Sequence, residues 1–274
     1  MHALLRFPLP LLLAAFLLPS RAQLIEEVPF VTSPDNVTLE MLRVADVGPR
    51  DHVIDLGSGD GRIVILAARR FGATGLGVEI DPNLVRQSQR HARDAGVESR
   101  VKFLEQDLFK TDLAPATVVT MYLLPEVNMA LRPSVLALKP GTRIVSHDWD
   151  MGDWKPDQTT VLPVPDKKVG LAKSSKVHLW IVPARVDGLW CGGGASLQVA
   201  QRHQQFSAQL VQGQAVRALD GRIRGTALRA AAAGDAALQL EAVDDGLRVT
   251  GGSGALAALQ GQSFRRDPGT GCGA

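Results

Sequence analysis

A glycine-rich turn between a strand and a helix constrains the fold of this chain more than any other feature. Residues 55–61 read DLGSGDG, at the end of the apolar run 52–56 and directly before the helix-like segment RIVILAARRF at 62–71. Glycines at a strand-to-helix turn let the backbone approach a ligand closely. In an open α/β sheet such a turn lies at the carboxyl end of a strand, where ligands bind. The chain is therefore predicted to have an α/β fold with a ligand site at this turn.

Strand-like and helix-like segments alternate up to about residue 147. After the turn, apolar runs of strand character occupy 75–80, 101–106, 116–122 and 142–147. Asp81 and Pro82 read as an N-cap followed by proline at the first helical position, and that helix is expected to end at Gly96. The alternation predicts a mostly parallel sheet with helices on both faces.

Three further segments complete this region. The stretch from Ser33 to Val47 suggests a leading helix, and residues 126–138 suggest a later helix that Pro133 would kink. The run KVHLWIV at 176–182 has β character, but no helix follows it. We therefore expect this run to form an antiparallel strand at the far end of the sheet.

Composition changes near residue 185. All eight lysines lie between Lys102 and Lys176, whereas 16 of the 27 glycines lie from Val186 onward. We therefore divide the chain into a domain over 23–185 and a small accessory unit over 186–274. Short runs with glycine-containing turns between them favour a β-sandwich or barrel for that unit, at 196–199, 206–210, 225–229 and 237–240. Residues 230–233 would also suit a helix.

The first 22 residues have the layout of a secretory signal peptide. Arg6 gives a charged start, Leu9 to Leu18 is an apolar run, and small residues stand at Ser20 and Ala22. The run is shorter than the ~20 residues of a membrane-spanning helix. A functional signal peptide would direct export of the protein to the periplasm, with cleavage after Ala22. A leader that does not function would leave it in the cytoplasm.

Charge and cysteine content exclude several classes of protein. Thirty basic and 28 acidic residues give a net charge of +2, which excludes a strongly basic nucleic-acid coat. Two cysteines, Cys191 and Cys272, are too few for a disulfide scaffold or a cysteine-rich zinc site. We therefore expect no metal site. A disulfide in an oxidising compartment and two free thiols are equally consistent with the cysteine spacing.

Three carboxylates follow three successive predicted strands. Asp55 precedes the first glycine of the turn, Glu79 ends the second strand, and Asp107 follows the third. A carboxylate beside the turn disfavours a phosphate and favours an amino group. The dinucleotide fingerprint also lacks its third glycine, because Arg62 occupies that position. Since Glu79 can accept ribose hydroxyls and Asp107 would lie near an adenine amine, the pattern favours an amino-acid-bearing nucleoside.

This pattern resembles the class I S-adenosylmethionine-dependent methyltransferases over roughly residues 29–183. Four stretches are similar to a bacterial group related to the mitochondrial lysine methyltransferases of the ATP-synthase c-subunit and the adenine nucleotide translocase: PFVTSP at 29–34, DLGSGDGRIVI at 55–65, VEID at 78–81 and TMYLLPEVN at 120–128. The resemblance implies a Rossmann-like class I methyltransferase sheet and S-adenosylmethionine as the cofactor.

The resemblance also assigns the cofactor contacts. These residues are Thr32, Asp55, Gly57, Ser58, Gly59, Gly61, Glu79, Ile80, Asp107 and Leu108. Asp55 and Gly57 would face the amino and carboxylate groups of the methionine, and Thr32 with Ser33 would close over that end.

The segment from Tyr122 to Pro125 stands where amide and nucleobase methyltransferases of this class carry an Asn- or Asp-Pro-Pro motif. No Asn or Asp opens the motif here. A planar amide or base would need that acceptor, so its absence argues against a DNA or glutamine substrate. We expect no nucleic-acid partner.

Tyr122 and Asp148 are the candidate catalytic residues, because both lie at strand ends on the predicted active edge. Either group would help a lysine amine to lose its proton. The leading hypothesis is methylation of a lysine on a protein, which by resemblance would be membrane-embedded or membrane-proximal. Two alternatives stay open: a small-molecule acceptor, and a non-catalytic exported binding protein on a methyltransferase scaffold. The sequence gives no oligomeric state.

Overall fold

The computed structural model describes residues 31–168, 172–234, 236–269 and 271–272. The predicted signal peptide at 1–22 lies outside the described residues, so export stays a prediction. Within the described ranges, no helix combines the length and the apolar character needed to cross a bilayer.

The first part of the chain forms a seven-stranded sheet with four helices. Its strands are β1 (His52–Leu56), β2 (Thr74–Glu79), β3 (Val101–Glu105), β4 (Val118–Met121), β5 (Arg143–His147), β6 (Gln158–Pro163) and β7 (Ser174–Ile181). Its helices are α1 (Asp35–Val44), α2 (Arg62–Phe71), α3 (Pro82–Asp94) and α4 (Pro125–Leu136). The strand order is β3-β2-β1-β4-β5-β7-β6, with β1 to β5 parallel and β7 antiparallel to both neighbours. This confirms the predicted Rossmann-like class I sheet.

Helices cover both faces of the sheet because successive strand residues point to opposite sides. Val53 of β1 packs in the cluster that contains Met41 of α1, whereas its neighbour Ile54 packs in the cluster that contains Leu131 of α4. All four of these side chains are buried. The continuous apolar runs seen in the sequence are therefore the mark of strands buried on both faces.

The position predicted for the last strand was wrong. β7 lies between β5 and β6 rather than at the far end of the sheet. The edge strand is β6, whose residues are exposed or half-buried and which pairs only with β7. Its sequence, QTTVLP, lacks the apolar run on which strands were recognised, because an edge strand buries less of its surface.

Eight strands between residues 188 and 266 form a closed antiparallel barrel. They are β8 (Gly188–Gly192), β9 (Ala195–Arg202), β10 (Gln205–Gln212), β11 (Ala215–Arg224), β12 (Ala227–Ala231), β13 (Ala237–Val243), β14 (Gly246–Gly252) and β15 (Ser263–Arg266). Pairing of β15 with β8 closes the barrel. The β-rich C-terminal unit is therefore confirmed and is a barrel. The helical alternative at 230–233 is wrong, because Ala230 and Ala231 pair with β13.

Cys191 of β8 and Cys272 are joined by a disulfide, with a Cα–Cα distance of 5.4 Å. The structure thus selects the paired state over two free thiols. The bridge ties residues near the end of the described chain to the first strand of the barrel. The two cysteines are 81 residues apart in sequence. Closing a loop of this length removes conformational freedom from the unfolded chain and is expected to stabilise the barrel by a few kcal/mol.

The barrel packs against the loop that follows β5. Arg202 of β9 pairs with Asp153 of this loop at 3.1 Å, and the His203 ring stacks on Trp154 with centroids 6.1 Å apart. Trp154 is fully buried. The barrel therefore completes the packing of a loop that begins beside the carboxyl edge of the sheet.

Candidate active site

A cleft of about 890 Å³ lies at the carboxyl ends of β1 to β4. Nine of the ten residues predicted to contact a cofactor line it: Thr32, Asp55, Gly57, Ser58, Gly59, Glu79, Ile80, Asp107 and Leu108. Tyr122 also lines the cleft, whereas Gly61 and Asp148 do not. Residues distributed over ninety positions of the chain thus meet in one cavity, because parallel strands all end at the same edge.

The glycine turn has the backbone conformation that only glycine adopts easily. Gly57 and Gly59 have φ values of +73° and +53°, and the N–H groups of Gly57 and Ser58 both donate to Val78 O at 2.9 Å. A Cβ on Gly57 would lie 2.8 Å from Leu123 Cδ2, so the turn and the opposite wall of the cleft are in close contact.

Gly61 has a different role from the one predicted. It is the N-cap of α2 with φ +82°, and a Cβ there would lie 2.7 to 2.8 Å from Ser88 and Phe103. It therefore lets α2 pack closely on α3 and β3, behind the cleft rather than in it.

Asp55 is a buried carboxyl group at the floor of the cleft. It is 2% exposed, and its Oδ1 accepts a hydrogen bond from Thr120 Oγ1 at 2.7 Å. Burial raises the pKa of Asp55 to about 7; the Thr120 bond opposes this shift, and the nearby Glu79 and Asp60 charges add to it. No positively charged side chain among the described residues offsets this rise in the pKa of Asp55. Such a group is complementary to an ammonium, which fits the methionine end of the predicted cofactor.

Glu79 is held in place by three backbone donors. Its Oε2 accepts from Gly59 N at 2.9 Å, and its Oε1 accepts from Ile80 N at 2.8 Å and Asp81 N at 3.0 Å. A carboxylate has about four acceptor sites, so about one remains. Glu79 therefore keeps acceptor capacity for a ribose hydroxyl beside these bonds, and its contact with the ribose stays a prediction.

Apolar surface and one acid stand at the mouth of the cleft, where a base would lie. Asp107 Oδ1 accepts from Phe109 N at 2.9 Å and caps the short 3-10 turn over Leu108–Lys110. Ile80 and Phe109 are 67% and 47% exposed, although both are large apolar side chains. Flat apolar surface beside a carboxylate suits an adenine ring with its amino group.

Tyr122 and Ser33 meet over His147, a histidine that was not among the predicted site residues. Tyr122 follows β4 and stacks on His147, with ring centroids 3.9 Å apart. Ser33 Oγ lies 2.8 Å from His147 Nδ1. His147 is fully buried at the end of β5 and does not line the cleft. Its position at the end of the predicted strand 142–147 could have indicated it, but no sequence pattern gives its contacts with Ser33 and Tyr122.

Asp148 lies behind His147 and not in the cleft. Its Oδ2 is 3.5 Å from His147 Nε2 and 2.7 Å from Lys167 Nζ, and its Oδ1 accepts from Lys176 N at 2.9 Å. The structure therefore does not place Asp148 among the residues that line the cleft, and Asp148 acts on the cleft through its neighbours His147 and Tyr122.

Burial governs the ionisation of His147 and of Tyr122. Burial lowers the pKa of His147 to about 4, with Asp148 opposing the shift and Lys167 adding to it. Burial also raises the pKa of Tyr122, and the Asp148 charge adds to that shift. At neutral pH the imidazole is therefore neutral and the phenol keeps its proton.

Arg62 anchors the N-terminal wall of the cleft. Its Nη1 donates to Ser33 O at 2.9 Å, and its Nη2 pairs with Asp60 Oδ2 at 2.7 Å. The residue that displaces the third glycine of the dinucleotide fingerprint thus holds residues 31–33 over the cleft. This anchor was not predicted, because the two partners are brought together only by the fold.

Comparison with known proteins agrees with this geometry. The family described as the ANTKMT methyltransferase domain matches residues 55–158. A protein-lysine N-methyltransferase of Saccharolobus islandicus (strain REY15A) is 38% identical over 160 residues, which are 58% of this chain and 96% of the relative. The chain belongs to the class I S-adenosylmethionine-dependent methyltransferases.

Two other similarities bear on the substrate of this methyltransferase. The lysine N-methyltransferase of the ATP-synthase c-subunit from Mus musculus is 38% identical over 112 residues, which are 40% of this chain and 45% of that relative. The match thus spans about half of that enzyme. A crystal structure described as an RNA methyltransferase from Salinibacter ruber in complex with S-adenosyl-L-homocysteine is 49% identical, with a TM-score of 0.51, and the match covers 57% of this chain and 96% of that chain.

Proposed function

We propose that this methyltransferase transfers a methyl group to the side-chain amine of a lysine in a protein. The observation that carries the proposal is the charge of the cleft. Its charged lining consists of Asp55, Asp60, Glu79, Asp81, Asp107 and Arg62, and Arg62 is already paired with Asp60. Asp55, Glu79 and Asp107 would be occupied by the cofactor, but no unpaired basic side chain among the described lining residues offers a phosphate a partner, so the cleft favours a cationic lysine over a phosphate.

The acceptor end of the cleft suits an aliphatic amine. Tyr122 supplies a hydroxyl, and Leu123 and Val127 supply apolar surface. The methylene stem of a lysine packs well on such a wall. Removal of its ammonium from water favours the neutral amine, which is the nucleophile.

S-adenosylmethionine supplies a methyl group on a sulfonium, which is a good leaving group. The residues of this chain mainly have to bind and orient the reactants, and good orientation alone contributes on the order of 7–11 kcal/mol. Asp55, Glu79 and Asp107 would hold the ammonium, ribose and adenine of the cofactor. Tyr122 and the apolar wall would orient the amine.

The names of relatives support a protein substrate, and one supports a different acceptor. Relatives are named for lysine in the ATP-synthase c-subunit and in the adenine nucleotide translocase, which favours a membrane-embedded or membrane-proximal protein. The Salinibacter ruber structure is described as an RNA methyltransferase. The acidic cleft and the absence of an Asn or Asp before Tyr122 favour lysine over RNA.

We also propose that the protein is exported. The layout of residues 1–22 supports this, and so does the Cys191–Cys272 disulfide, because disulfides persist in oxidising compartments. An exported enzyme needs S-adenosylmethionine outside the cytoplasm. The intact mass of the protein from native cells tests export: a chain that begins at Gln23 is expected, and one that keeps Met1 in the cytoplasm would refute export.

A labelled-methyl transfer assay tests the substrate. Membrane protein, soluble protein and RNA from a strain that lacks this gene are incubated separately with the enzyme and labelled S-adenosylmethionine. Label is expected in methyl-lysine of membrane protein and should fall strongly with Glu79→Ala, which is expected to bind the cofactor more weakly. Label in RNA alone, or in small molecules alone, would reject the lysine substrate.

A further inference from the structure

Two side chains of the cleft rest on the same buried imidazole. Ser33 Oγ is 2.8 Å from His147 Nδ1, and the Tyr122 ring stacks on His147 with centroids 3.9 Å apart. Ser33 and Tyr122 both line the cleft, whereas His147 is 1% exposed and lies beneath them. The orientation of the Ser33 hydroxyl therefore depends on which His147 nitrogen carries the proton.

The Asp148 carboxylate favours one of these two nitrogens. His147 Nε2 is buried and has no hydrogen-bond partner among the described residues, but the Asp148 Oδ2 atom faces it at 3.5 Å. Asp148 is itself held by Lys167 Nζ at 2.7 Å and by the backbone N–H of Lys176 at 2.9 Å. A carboxylate on this side favours the neutral tautomer with its proton on Nε2, because the N–H dipole then points at the negative charge. Nδ1 is then left with a lone pair.

With Nδ1 as an acceptor, the Ser33 hydroxyl must donate to it. A serine hydroxyl has one hydrogen and two lone pairs, so only lone pairs remain for a ligand in the cleft. The backbone of Ser33 is fixed separately, since Arg62 Nη1 donates to its carbonyl at 2.9 Å. Ser33 thus presents a hydrogen-bond acceptor to the cleft, and its complement is an N–H donor.

We propose that Ser33 binds an N–H of the acceptor amine and that His147 and Asp148 are positioning residues that keep its oxygen turned toward that amine. The identity of the amine as a lysine rests on the proposed function. A neutral primary amine has two N–H groups and one lone pair. An acceptor that holds an N–H leaves the lone pair free to point at the methyl carbon, so the contact orients the nucleophile.

The cofactor carries an amine of its own, at its methionine end. The test must therefore distinguish a contact of Ser33 with this amine from a contact with the acceptor amine. The ammonium of its methionine end already has a counter-charge in the buried Asp55 carboxyl. Titration calorimetry with S-adenosylhomocysteine and with sinefungin makes the distinction. Both ligands carry the methionine ammonium, but only sinefungin carries a further primary amine in place of the transferable methyl group.

Ser33→Ala is expected to weaken sinefungin roughly tenfold more than S-adenosylhomocysteine, as for the loss of one hydrogen bond to a charged group. His147→Phe keeps an aromatic ring beneath Tyr122 but removes the acceptor, and should produce the same selective loss. Because His147 acts through Ser33, the double variant should be less than about twofold worse than Ser33→Ala alone.

A matched control lies elsewhere in the sheet. Thr159 Oγ1 is 2.9 Å from His178 Nδ1, a pair of the same kind, and neither residue lines the cleft. Thr159→Val should leave the sinefungin preference unchanged. In the unaltered protein, nitrogen NMR of the His147 ring should show the proton on Nε2. This second measurement does not depend on whether the variants fold.

Several results would overturn the proposal. Equal losses for both ligands in Ser33→Ala would place Ser33 on the methionine ammonium, and unchanged affinities would remove it from either amine. A proton on Nδ1, or additive losses in the double variant, would refute the positioning role of His147. These readouts do not require lysine methylation. A selective sinefungin loss combined with no methyl-lysine in the transfer assay would reject only the lysine substrate.

Discussion

Thr120 Oγ1 donates a 2.7 Å hydrogen bond to the Asp55 carboxyl, a group that is 2% exposed at the floor of the cleft. The hydroxyl does not compensate for burial, and the pKa of Asp55 is raised to about 7. In the ligand-free protein a large share of Asp55 is therefore neutral at physiological pH. Binding of a cationic ligand favours the ionised form, so ligand binding and proton release are linked.

The affinity for S-adenosylmethionine is expected to rise as the pH increases from about 5 to 7 and to level off above the Asp55 pKa of about 7. Below the Asp55 pKa of about 7, a proton must leave before the ammonium can pair, which costs up to about tenfold in affinity per pH unit. Calorimetry in two buffers of different ionisation enthalpy measures the released proton. Asp55→Asn should bind more weakly and lose this dependence. A pH-independent affinity of the unaltered protein would contradict the assignment.

Asp55→Asn should also stabilise the ligand-free protein in alkaline solution. A folded pKa of about 7, above the unfolded value of 3.8, means that the contribution of Asp55 to stability is present below pH 3.8 and is lost as the pH rises through 7. At pH 8 the buried charge costs up to about 4 kcal/mol, which asparagine avoids. Urea unfolding at pH 5 and pH 8 checks this. A variant less stable than the unaltered protein at pH 8 would show that the charge is compensated.

Gly57→Ala should lower both stability and cofactor affinity. The residue has φ +73°, which costs a non-glycine residue about 1–2 kcal/mol, and the new methyl would lie 2.8 Å from Leu123 Cδ2. Gly48→Ala is the matched control, because no atom lies within 4 Å of its Cβ position and its φ is ordinary. Thermal unfolding and calorimetric titration separate the two effects. Equal behaviour of the two variants would refute the close approach at the turn.

Glu79→Ala should weaken S-adenosylmethionine binding by ten- to hundredfold, since charge-assisted hydrogen bonds contribute ~1.5–3 kcal/mol. The variant also loses the carboxylate that orders Gly59 N in the turn. Glu105→Ala is the control, because Glu105 pairs with Glu79 in the sheet register but is exposed outside the cleft. Unchanged affinity in a folded Glu79→Ala protein would remove the ribose assignment.

A chain that ends at Arg185 should keep the cofactor site but lose stability. All residues that line the cleft precede that point. However, the fully buried Trp154 stacks on His203 of the barrel, and Gln204 Nε2 donates to Lys155 O at 2.5 Å. Removing the barrel therefore exposes an indole and a backbone carbonyl. Tryptophan fluorescence and calorimetric titration of residues 23–185 are the measurements. Loss of binding in a folded chain would show that the barrel shapes the cleft.

Much of the fold was predictable because it depends on local pattern. The strand-to-helix turn at 55–61, the apolar runs and the Asp81-Pro82 helix start all act within a few residues. β6 was missed because an edge strand buries little surface, and barrel closure was open because it depends on the pairing of β8 with β15, which no local pattern encodes.

The sequence by itself determined the glycine turn, the three acids at successive strand ends and therefore the class of ligand, because parallel strands bring their carboxyl ends to one edge. Only the tertiary structure decided that Gly61 faces α3 rather than the cleft, and that Asp148 supports His147 instead of the substrate. The contact between Ser33 and His147, which are 114 residues apart in sequence, is likewise visible only in the tertiary structure. Such contacts depend on strand order and burial, which fix where distant side chains meet and whether they are charged.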